Sequence, residues 1–508
     1  MIVIYHQNNK VIEIDNVPDI NFQGKNIVEV LFESAAKFSD KFIIWCHIEL
    51  KDHLNIERLP CIFHHKKIMV SYHPGQSTFL SDAIGYVEES VFLKINKNVS
   101  YPTWMMSSCV GGIHAAVLNT VINDFKNNKN FDYFLVSFSK LLSVKGLLCY
   151  SEPQLLKNKV ASVFEFEEDF SYLFKFVKQH YKAQWTFFLF ISLLLFERKF
   201  KIIPLLYGLF FRRRKVKHLT LDHLEVKSKK KVVESATIDV IIPTIGRKKY
   251  LYDVLKDLAA QTKLPKNIII VEQNPDPKSI SELDYLTSEN WPFTIKHIFT
   301  HKTGACNARN LALAQVESEW TFLNDDDNRF DSNLLKSALK YASLFGVECF
   351  TTSYLQKDEV FKFKIIHQSG IFGSGNSFLK SEFLNKVTFD MALEYGYGED
   401  TDFGLQLRNI GVDIIYFPEL KITHLKAPMG GFRTKFVFPW EIAGEFPKPS
   451  PTIMYVKRKY LTPEQLSGYK LLLFLKMLGK QSFFKKIRFY SLFQEKWNAS
   501  VKWSKQLW

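Results

Sequence analysis

With 508 residues the chain is too long for a single hydrophobic core, and its 46% hydrophobic content excludes an intrinsically disordered protein. The formal net charge of +15 indicates an anionic partner, such as a phosphorylated ligand, an anionic membrane or a nucleic acid. The cysteines are scattered without a Cys-x-x-Cys pair, a pattern typical of reduced thiols rather than of a disulfide framework or a zinc site. The first residues lack the basic region and cleavage site of a signal peptide, so we expect a cytoplasmic protein.

Residues 1–210 are expected to form a first α/β domain that ends in an apolar helical hairpin. The apolar stretches 185–196 and 202–211 are separated by charged residues and followed by a basic run. Neither reaches the roughly 20 apolar residues of a membrane-spanning helix. We therefore expect the hairpin to be buried; docking on an anionic membrane through its apolar face and flanking cations is the alternative. A basic linker, residues 211–236, follows.

Residues 237–450 are predicted to form a second α/β domain. Strands are predicted at 238–242, 267–271, 294–299 and 320–323, with helices at 250–260 and 306–315. Strands that alternate with helices are typical of a parallel sheet, which binds ligands at the carboxyl ends of its strands. The polar segments 243–247, 272–274 and 325–327 each follow a strand and are therefore expected to share one crevice.

The most informative of these segments is the carboxylate triplet Asp325, Asp326 and Asp327. Like charges this close repel one another, so the triplet is costly unless a cation or hydrogen-bond donors offset its charge. A divalent cation that carries a phosphate-bearing substrate would do so. An acidic surface turn is the alternative.

Four motifs carry a resemblance to a known family. They are Asp-Val-Ile-Ile-Pro-Thr-Ile-Gly-Arg at 239–247, Gly-Ala-Cys-Asn-Ala-Arg-Asn at 304–310, Asn-Asp-Asp-Asp at 324–327 and Gly-Glu-Asp-Thr-Asp-Phe at 398–403. In this order they make residues 237–433 resemble an inverting family 2 glycosyltransferase with the GT-A fold, a Rossmann-like α/β fold.

The resemblance implies that Mn²⁺ or Mg²⁺ helps to move a hexosyl or N-acetylhexosaminyl group from a nucleotide-diphosphate donor, UDP by default. The implied acceptor is a hydroxyl of a glycan or lipid-linked glycan, as in the synthesis of bacterial surface polysaccharides. A catalytically silent GT-A scaffold in an assembly complex is the alternative. Nothing in the chain resembles a reader of bases, so nucleic acid is not an expected partner.

The resemblance also assigns residue roles on the metal side of the site. Asp325 and Asp327 are the implied metal ligands, and a register one residue earlier would use Asn324 and Asp326 instead. His424, which follows a predicted strand, is the third implied ligand, since a neutral imidazole suits Mn²⁺. A structural histidine is the alternative.

On the acceptor side, Asp400 is the implied catalytic base. The apolar spacing after it places it at or near a helix N-terminus, where the ionised form is favoured. Glu399 is expected to hydrogen-bond the acceptor, whereas Asp402 and Arg408 are expected to stabilise the helix. A purely capping role for Asp400 is the alternative.

The remaining implied contacts concern the sugar nucleotide. The expected donor-binding residues are Pro243, Thr244, Arg247, Glu272, Asn274, Arg309, Asp325 and Asp326. The segment that contains Gly375 and Asn376 is expected between the donor sugar and the acceptor. Arg433 or Lys435, on a glycine-rich loop, would touch phosphate.

The first domain is interpreted as a degenerate copy of the same GT-A fold. Gly24 and the strand 40–49 parallel Gly304 and the strand that ends in the triplet, with 46–48 (Cys-His-Ile) in place of the carboxylates. Residues 131–134 parallel the motif at 399–402, and the chain before Gly24 looks too short for the nucleotide-binding strands. We expect a non-catalytic half that binds acceptor or a partner.

The tail, residues 451–508, is predicted to be a basic helical extension. Helices packed on the second domain are the first expectation. Amphipathic attachment to the inner face of the cell membrane, which would suit a lipid-linked acceptor, is the other.

Overall fold

The computed structural model describes residues 1–15, 22–125, 128–158, 160, 165–215, 219–359, 363–427, 436–481 and 483–507. The chain folds into two compact units. Unit 1 comprises Met1–Lys230 and Tyr460–Lys480, and unit 2 comprises Lys231–Lys459 and Gln481–Trp508. The described part of the expected C-terminal extension is almost entirely helical, and its helices are divided between the two units.

Unit 1 is built on a seven-stranded sheet of order β2-β1-β3-β6-β4-β7-β5. Its strands are β1 (Ile2–Gln7), β2 (Lys10–Asp15), β3 (Phe42–His47), β4 (Ile68–Tyr72), β5 (Tyr101–Pro102), β6 (Val110–His114) and β7 (Leu148–Ser151). Its first helices are α1 (Ile27–Lys37), α2 (Leu59–Ile62), α3 (Ala115–Thr120), α4 (Ile122–Phe125), α5 (Phe131–Ser143) and α6 (Phe170–His180). The apolar faces of α1 and α5 pack with residues of β1 and β3 in one core cluster, which is what their helical spacing of apolar residues predicts.

Two further helices of unit 1, α7 (Gln184–Ser192) and α8 (Ile202–Leu209), form the expected hairpin, with a π-helical turn at Leu193–Glu197. One face of the hairpin is buried in a core cluster with α6. Its other face is exposed and apolar. Across the described residues, no helix combines the length and the hydropathy that crossing a bilayer requires.

Unit 2 is built on a nine-stranded sheet of order β10-β9-β8-β11-β15-β13-β16-β12, with β14 paired to β16. The strands are β8 (Ile238–Thr244), β9 (Asn267–Gln273), β10 (Thr294–Thr300), β11 (Trp320–Asn324), β12 (Asn328–Arg329), β13 (Cys349–Leu355), β14 (His367–Gln368), β15 (Asn376–Lys380) and β16 (Ile415–His424). The helices are α9 (Lys248–Ala259), α10 (Tyr285–Ser288), α11 (Ala305–Leu313), α12 (Leu334–Phe345), α13 (Glu399–Asn409) and α14 (Pro439–Ile442). β8, β9 and β11 are almost wholly buried, as their continuous apolar runs predict for a sheet covered on both faces.

The tail adds α15 (Pro451–Tyr460), α16 (Pro463–Leu478) and α17 (Phe483–Gln506). α16 belongs to unit 1, where Gln465 Nε2 donates to the carbonyl oxygens of Glu88 and Ser90 at 2.9 and 2.8 Å. α17 belongs to unit 2, where Trp503 Nε1 donates to Glu445 at 2.8 Å.

The two sheets share one pairing pattern over five strands. In unit 1, β1 runs parallel to β3, β3 antiparallel to β6, β6 antiparallel to β4, and β4 parallel to β7. In unit 2, β8, β11, β15, β13 and β16 follow one another with the same directions. The expectation that the first domain copies the second is confirmed at the level of strand order.

Two details of that expectation need correction. The chain before Gly24 looked too short for the nucleotide-binding strands, but β1 occupies the place of β8. Only β9 and β10 have no full counterpart, since the single hairpin strand β2 lies beyond β1. The proposed alignment is also displaced by one residue. Cys46 pairs with the first residue of β6, as Asn324 pairs with the first residue of β15, so His47 rather than Cys46 occupies the place of Asp325.

Candidate active site

A cavity of about 340 Å³ lies in unit 2 at the carboxyl ends of β8 and β11. These strands are parallel neighbours, so the segments that follow them meet at one edge of the sheet. Eight of the residues predicted from the sequence line this cavity: Pro243, Thr244, Arg247, Arg309, Asp325, Asp326, Asp327 and His424.

Both carboxylate oxygens of Asp326, the middle residue of the triplet, accept hydrogen bonds. Its Oδ2 accepts from Thr244 Oγ1 and its Oδ1 from Arg247 Nη1, both at 2.6 Å. Burial raises the pKa of Asp326 to about 7, and the Arg247 charge and the Thr244 hydroxyl oppose this rise. Through these two hydrogen bonds, Asp326 ties the triplet to the end of β8 and to Arg247.

Asp327 and His424 lie together at the ends of β11 and β16. Asp327 Oδ2 accepts from the Ala427 N–H at 2.9 Å and lies 2.9 Å from Arg247 Nη1. Asp327 Oδ1 is buried, has no hydrogen-bond partner among the described residues, and lies 3.5 Å from His424 Nε2. Asp327 raises the pKa of His424, and His424 helps to lower the pKa of Asp327 although burial opposes that shift.

The donor chemistry of this corner fits a divalent cation. A buried carboxylate oxygen that accepts no hydrogen bond from the described residues faces an imidazole, and both oxygen and imidazole ligands bind Mg²⁺ and Mn²⁺. Across the described ranges, no three His, Cys, Asp or Glu side chains converge as a complete metal site. A cation here would therefore need oxygens from its ligand to complete its coordination shell.

Asp325 faces the other side of the cavity. Its Oδ1 accepts from Arg309 Nη2 at 3.2 Å and its Oδ2 from the Tyr354 hydroxyl at 3.0 Å. The Tyr354 ring also stacks on His424, with centroids 4.7 Å apart. Gly375 lies against the same carboxylate, since a Cβ there would be 2.1 Å from Asp325 Oδ2. Only a glycine at this position lets the backbone come so close to Asp325.

Asp400 is the second residue of α13, whose N-cap is Gly398, so the expected position at a helix N-terminus is observed. Ser374 lies beside the Asp400 carboxylate, whose Oδ1 is buried with no hydrogen-bond partner among the described residues. Burial raises the pKa of Asp400, and Arg309 and Ser374 oppose the rise. Burial, and then the charge of Asp400, raise the pKa of Glu399. The charges of both carboxylates help to raise the pKa of Arg309, which Asp325 also contacts.

Two residues expected to support α13 do so. The Asp402 carboxylate accepts from Lys459 Nζ at 2.8 Å and is fully buried. Arg408, also buried, lies 3.3 Å from Asp413 Oδ1 and donates to the Ser369 carbonyl oxygen.

Three residues predicted for the site have other surroundings. The Glu272 carboxylate is hydrogen-bonded by Ser281 Oγ at 2.5 Å and lies 2.9 Å from His297 Nε2, so its own neighbours occupy it. Asn274 Oδ1 accepts from the Asp276 N–H in a local turn. Asn376 is buried, and its amide donates to the Thr352 carbonyl oxygen and to Thr351, joining β15 to β13. None of the three lines the cavity.

Sequence reasoning missed three residues at the site. Tyr354 is one, because its strand spacing does not reveal a partner across the sheet. Gln273 is another; its Oε1 accepts from the Gly304 N–H at 2.6 Å. The third is Glu394, which accepts from the N–H groups of Cys306 and Asn307 at the start of α11, at 3.0 and 2.7 Å. Arg433 and Lys435, expected to touch phosphate, lie outside the described residues.

Comparison with known proteins identifies the domain that carries this site. Residues 239–393 match the family model described as Glycosyl transferase family 2. An uncharacterised glycosyltransferase of Rickettsia conorii is 28% identical over 149 residues, which cover 29% of this chain and 24% of that protein. One of Rickettsia bellii is 27% identical over 151 residues, or 30% and 21%. The chain thus spans less than a quarter of the length of these relatives.

Solved structures of Staphylococcus aureus TarS are similar as well. The one in complex with UDP-GlcNAc is 18% identical, with a TM-score of 0.35, and the similarity covers 46% of this chain and 70% of that one. The expected α/β fold of the GT-A type, with a helical C-terminal region, is confirmed. The motifs, the sheet and the family match converge, and the chain carries a family 2 glycosyltransferase domain.

Proposed function

We propose that unit 2 is a metal-dependent inverting transferase that moves a sugar from a nucleotide diphosphate to a hydroxyl of a glycan or lipid-linked glycan. The observation that carries this proposal is the position of Arg309. Its guanidinium contacts Asp325, on the proposed donor side. The negative charges of Asp400 and Glu399, on the proposed acceptor side, help to raise its pKa. The buried Arg309 side chain therefore interacts both with the proposed donor-side carboxylate and with the proposed acceptor-side carboxylates.

On the donor side, Asp325, Asp327 and His424 would hold Mn²⁺ or Mg²⁺. The cation would offset the charge of the diphosphate and of the departing nucleotide. Pro243, Thr244 and Arg247 would border the nucleotide. The TarS structure contains UDP-GlcNAc, which supports a uridine nucleotide as the first donor to examine.

On the acceptor side, Asp400 would take the proton of the attacking hydroxyl. Its Oδ1 is unpartnered among the described residues, and the raised pKa makes the carboxylate a stronger base than an ordinary aspartate. As the proton passes to Oδ1, the acceptor oxygen bonds to the anomeric carbon while the bond from that carbon to the diphosphate breaks on the opposite face. Glu399 would hydrogen-bond the acceptor, and Gly375 would allow it close approach.

A hydrolysis screen of nucleotide sugars tests the proposal. Wild type, Asp327→Ala and the control Asp358→Ala, a substitution at an exposed residue, are each incubated with UDP-, GDP- and dTDP-sugars and Mn²⁺ or Mg²⁺. We expect slow turnover of one donor by wild type and the control, and none by Asp327→Ala. Turnover that survives in Asp327→Ala, or in the absence of a divalent cation, contradicts the proposed site. Wild type that turns over no donor supports the silent scaffold instead.

We also propose that unit 1 docks on an anionic membrane through the hairpin of α7 and α8. The exposed face of the hairpin includes Phe210 at 87% and Ile203 at 77% exposure. Exposed cations border it, among them Arg198, Arg212 and Arg213. An apolar face bordered by cations is complementary to anionic lipid headgroups over acyl chains, and it would suit an acceptor carried on a lipid at the cytoplasmic face.

A further inference from the structure

Unit 1 contains a counterpart of the proposed base of unit 2. α5 starts at Phe131 after its N-cap Asn130, and Asp132 is its second residue, as Asp400 is the second residue of α13. Ser108 lies beside Asp132 and helps to lower its pKa, as Ser374 does for Asp400. Ser108 lies two residues before β6, and Ser374 lies two residues before β15.

Unit 1 also repeats the carboxylate oxygen that accepts no hydrogen bond. Asp132 Oδ1 is buried with no hydrogen-bond partner among the described residues, like Asp400 Oδ1. A buried acceptor without a donor is costly in a core, where the alternative is a neutral or apolar side chain. Burial also raises the pKa of Asp132 to about 6, a rise that Ser108 opposes. As whole residues, Asp132 and Ser108 both retain partial exposure, although the Oδ1 atom itself is covered.

The donor side is not repeated. Arg309 is the fifth residue of α11, and the fifth residue of α1 is Leu31, which is buried in the core of unit 1. The place of Asp325 is taken by His47. Burial lowers the pKa of His47, and burial lowers the pKa of His6 to about 4, so neither ring is a cation at neutral pH. These replacements remove the carboxylate and the guanidinium that flank the cavity in unit 2.

Imidazole and aromatic rings lie next to Ser108 instead. His6 Nε2 lies 2.8 Å from the Ser108 carbonyl oxygen, and the His6 ring makes edge contacts with His47 and Phe131, at centroid distances of 5.6 and 5.2 Å. His6 Nδ1 is also buried without a hydrogen-bond partner among the described residues. A carboxylate and an imidazole nitrogen can form hydrogen bonds with the hydroxyl groups of a sugar. The neighbouring rings can pack against its carbon–hydrogen faces. The carboxylate repels a diphosphate.

We propose that unit 1 binds a neutral sugar residue of a glycan at Asp132, Ser108 and His6, and that it holds this sugar without transferring anything to it. The site is the acceptor half of the fold without its donor half. The choice of a glycan as ligand rests on the function proposed for unit 2. Unit 1 then anchors the same polymer or lipid-linked glycan whose hydroxyl unit 2 uses.

The test is binding of the labelled full-length chain to a microarray of neutral hexose and N-acetylhexosamine oligosaccharides. It is done in an Asp400→Asn background, so that the acceptor site of unit 2 is compromised in every sample. We expect at least one glycan to bind, and Asp132→Asn to weaken that binding at least tenfold. Ser108→Ala should weaken it as well, and the control Glu57→Gln, at an exposed residue of unit 1, should not.

Three outcomes overturn the proposal: no glycan binds, Asp132→Asn binds as well as its parent, or the control weakens binding equally. Misfolding is excluded by thermal unfolding, since replacing a buried carboxylate of raised pKa with a neutral amide should leave the unfolding temperature unchanged or higher at pH 7. Donor hydrolysis by Asp132→Asn alone, expected at the wild-type rate, reports on unit 2 separately. Loss of donor hydrolysis in the wild type would therefore contradict the function of unit 2 without being mistaken for failure of the glycan site.

Discussion

At the scale of single residues, the neighbouring carboxylates of the site differ in their hydrogen-bond partners. Both oxygens of Asp326 accept hydrogen bonds, from Thr244 and Arg247, whereas Oδ1 of Asp327 accepts none from the described residues and lies 3.5 Å from His424 Nε2. The three carboxylates of the triplet therefore have different surroundings, although all three line the cavity.

Asp400→Asn is expected to abolish transfer while leaving donor affinity intact. The amide keeps the shape and the contact with Ser374 but cannot take a proton, and positioned base catalysis is worth about 10²- to 10⁴-fold. Nucleotide binding is measured by calorimetry and transfer by product formation. If the variant loses donor binding as well, the base lies elsewhere.

The pH dependence of transfer follows from the same residue. Burial raises the pKa of Asp400, and the ionised form is the base, so activity falls as pH drops through this raised pKa. The acid limb of the rate profile is therefore expected above the ordinary range of an aspartate. The profile of kcat, measured with saturating donor, checks this. An acid limb near pH 4 would show that the carboxylate in use is not buried.

Tyr354→Phe is expected to reduce transfer without unfolding the protein. The tyrosine hydroxyl donates to Asp325, and its ring stacks on His424, so the variant keeps the stack and loses only the hydrogen bond. A neutral-to-charged hydrogen bond of this kind contributes about 1.5–3 kcal/mol. Measured as kcat/KM for the donor, the loss should be about 10- to 100-fold, and Tyr341→Phe, on α12 outside the cavity, should be silent.

At the scale of elements, the hairpin of α7 and α8 shows how one helix pair satisfies two environments. Phe188, Leu189, Leu193 and Leu205 are buried in unit 1, and the opposite face keeps large apolar side chains exposed. An exposed apolar face of this extent is costly in water and marks an interaction surface. Hydropathy alone could not separate the two faces, since nearly every residue of the hairpin is apolar.

The double variant Ile203→Glu with Phe210→Glu is expected to lose membrane binding. Burying each side chain contributes about 1.5–3 kcal/mol, so the affinity for vesicles of phosphatidylcholine with phosphatidylglycerol should fall at least tenfold. Co-sedimentation with these vesicles is the measurement, and Ile280→Glu, an exposed residue of unit 2, is the control. Equal sedimentation of all three proteins, or binding to vesicles of phosphatidylcholine alone at the same affinity, would contradict docking on an anionic surface.

At the scale of the whole molecule, the last part of the chain stabilises the first unit. α16 packs on the segment around Tyr86, and Gly468 is the point of closest approach. A Cβ at Gly468 would lie 2.4 Å from the Tyr86 carbonyl oxygen, a backbone atom that cannot move aside alone. Unit 1 is therefore completed only after the whole of unit 2 up to α15 has been made.

Gly468→Ala is expected to lower the free energy of unfolding of unit 1 by about 1–3 kcal/mol because of this overlap. The sign is informative, since alanine in a helix is otherwise favoured over glycine by about 1 kcal/mol. Gly479→Ala is the matched control, because its Cβ would meet the nearest atom at 3.5 Å. Calorimetric unfolding of both variants is the measurement; a stabilised Gly468→Ala would show that α16 does not pack as described.

Local patterns were sufficient for much of unit 2. Continuous apolar runs determine β8, β9 and β11, and the polar residues after β8 and β11 share an edge because parallel neighbours end together. The same reasoning failed for Glu272 and Asn274, since a strand end also supplies side chains to its own turn.

By itself, the sequence determined the family, the strand ends that line the cavity and the likeness of the two halves, because these depend on local spacing and on the order of motifs. Only the tertiary structure decided which carboxylate keeps a free oxygen, which residues of the first half replace the triplet, and where α16 belongs. Those outcomes depend on sheet register and on contacts between residues far apart in the chain. A one-residue change of register replaces Cys46 by His47 without altering any local pattern.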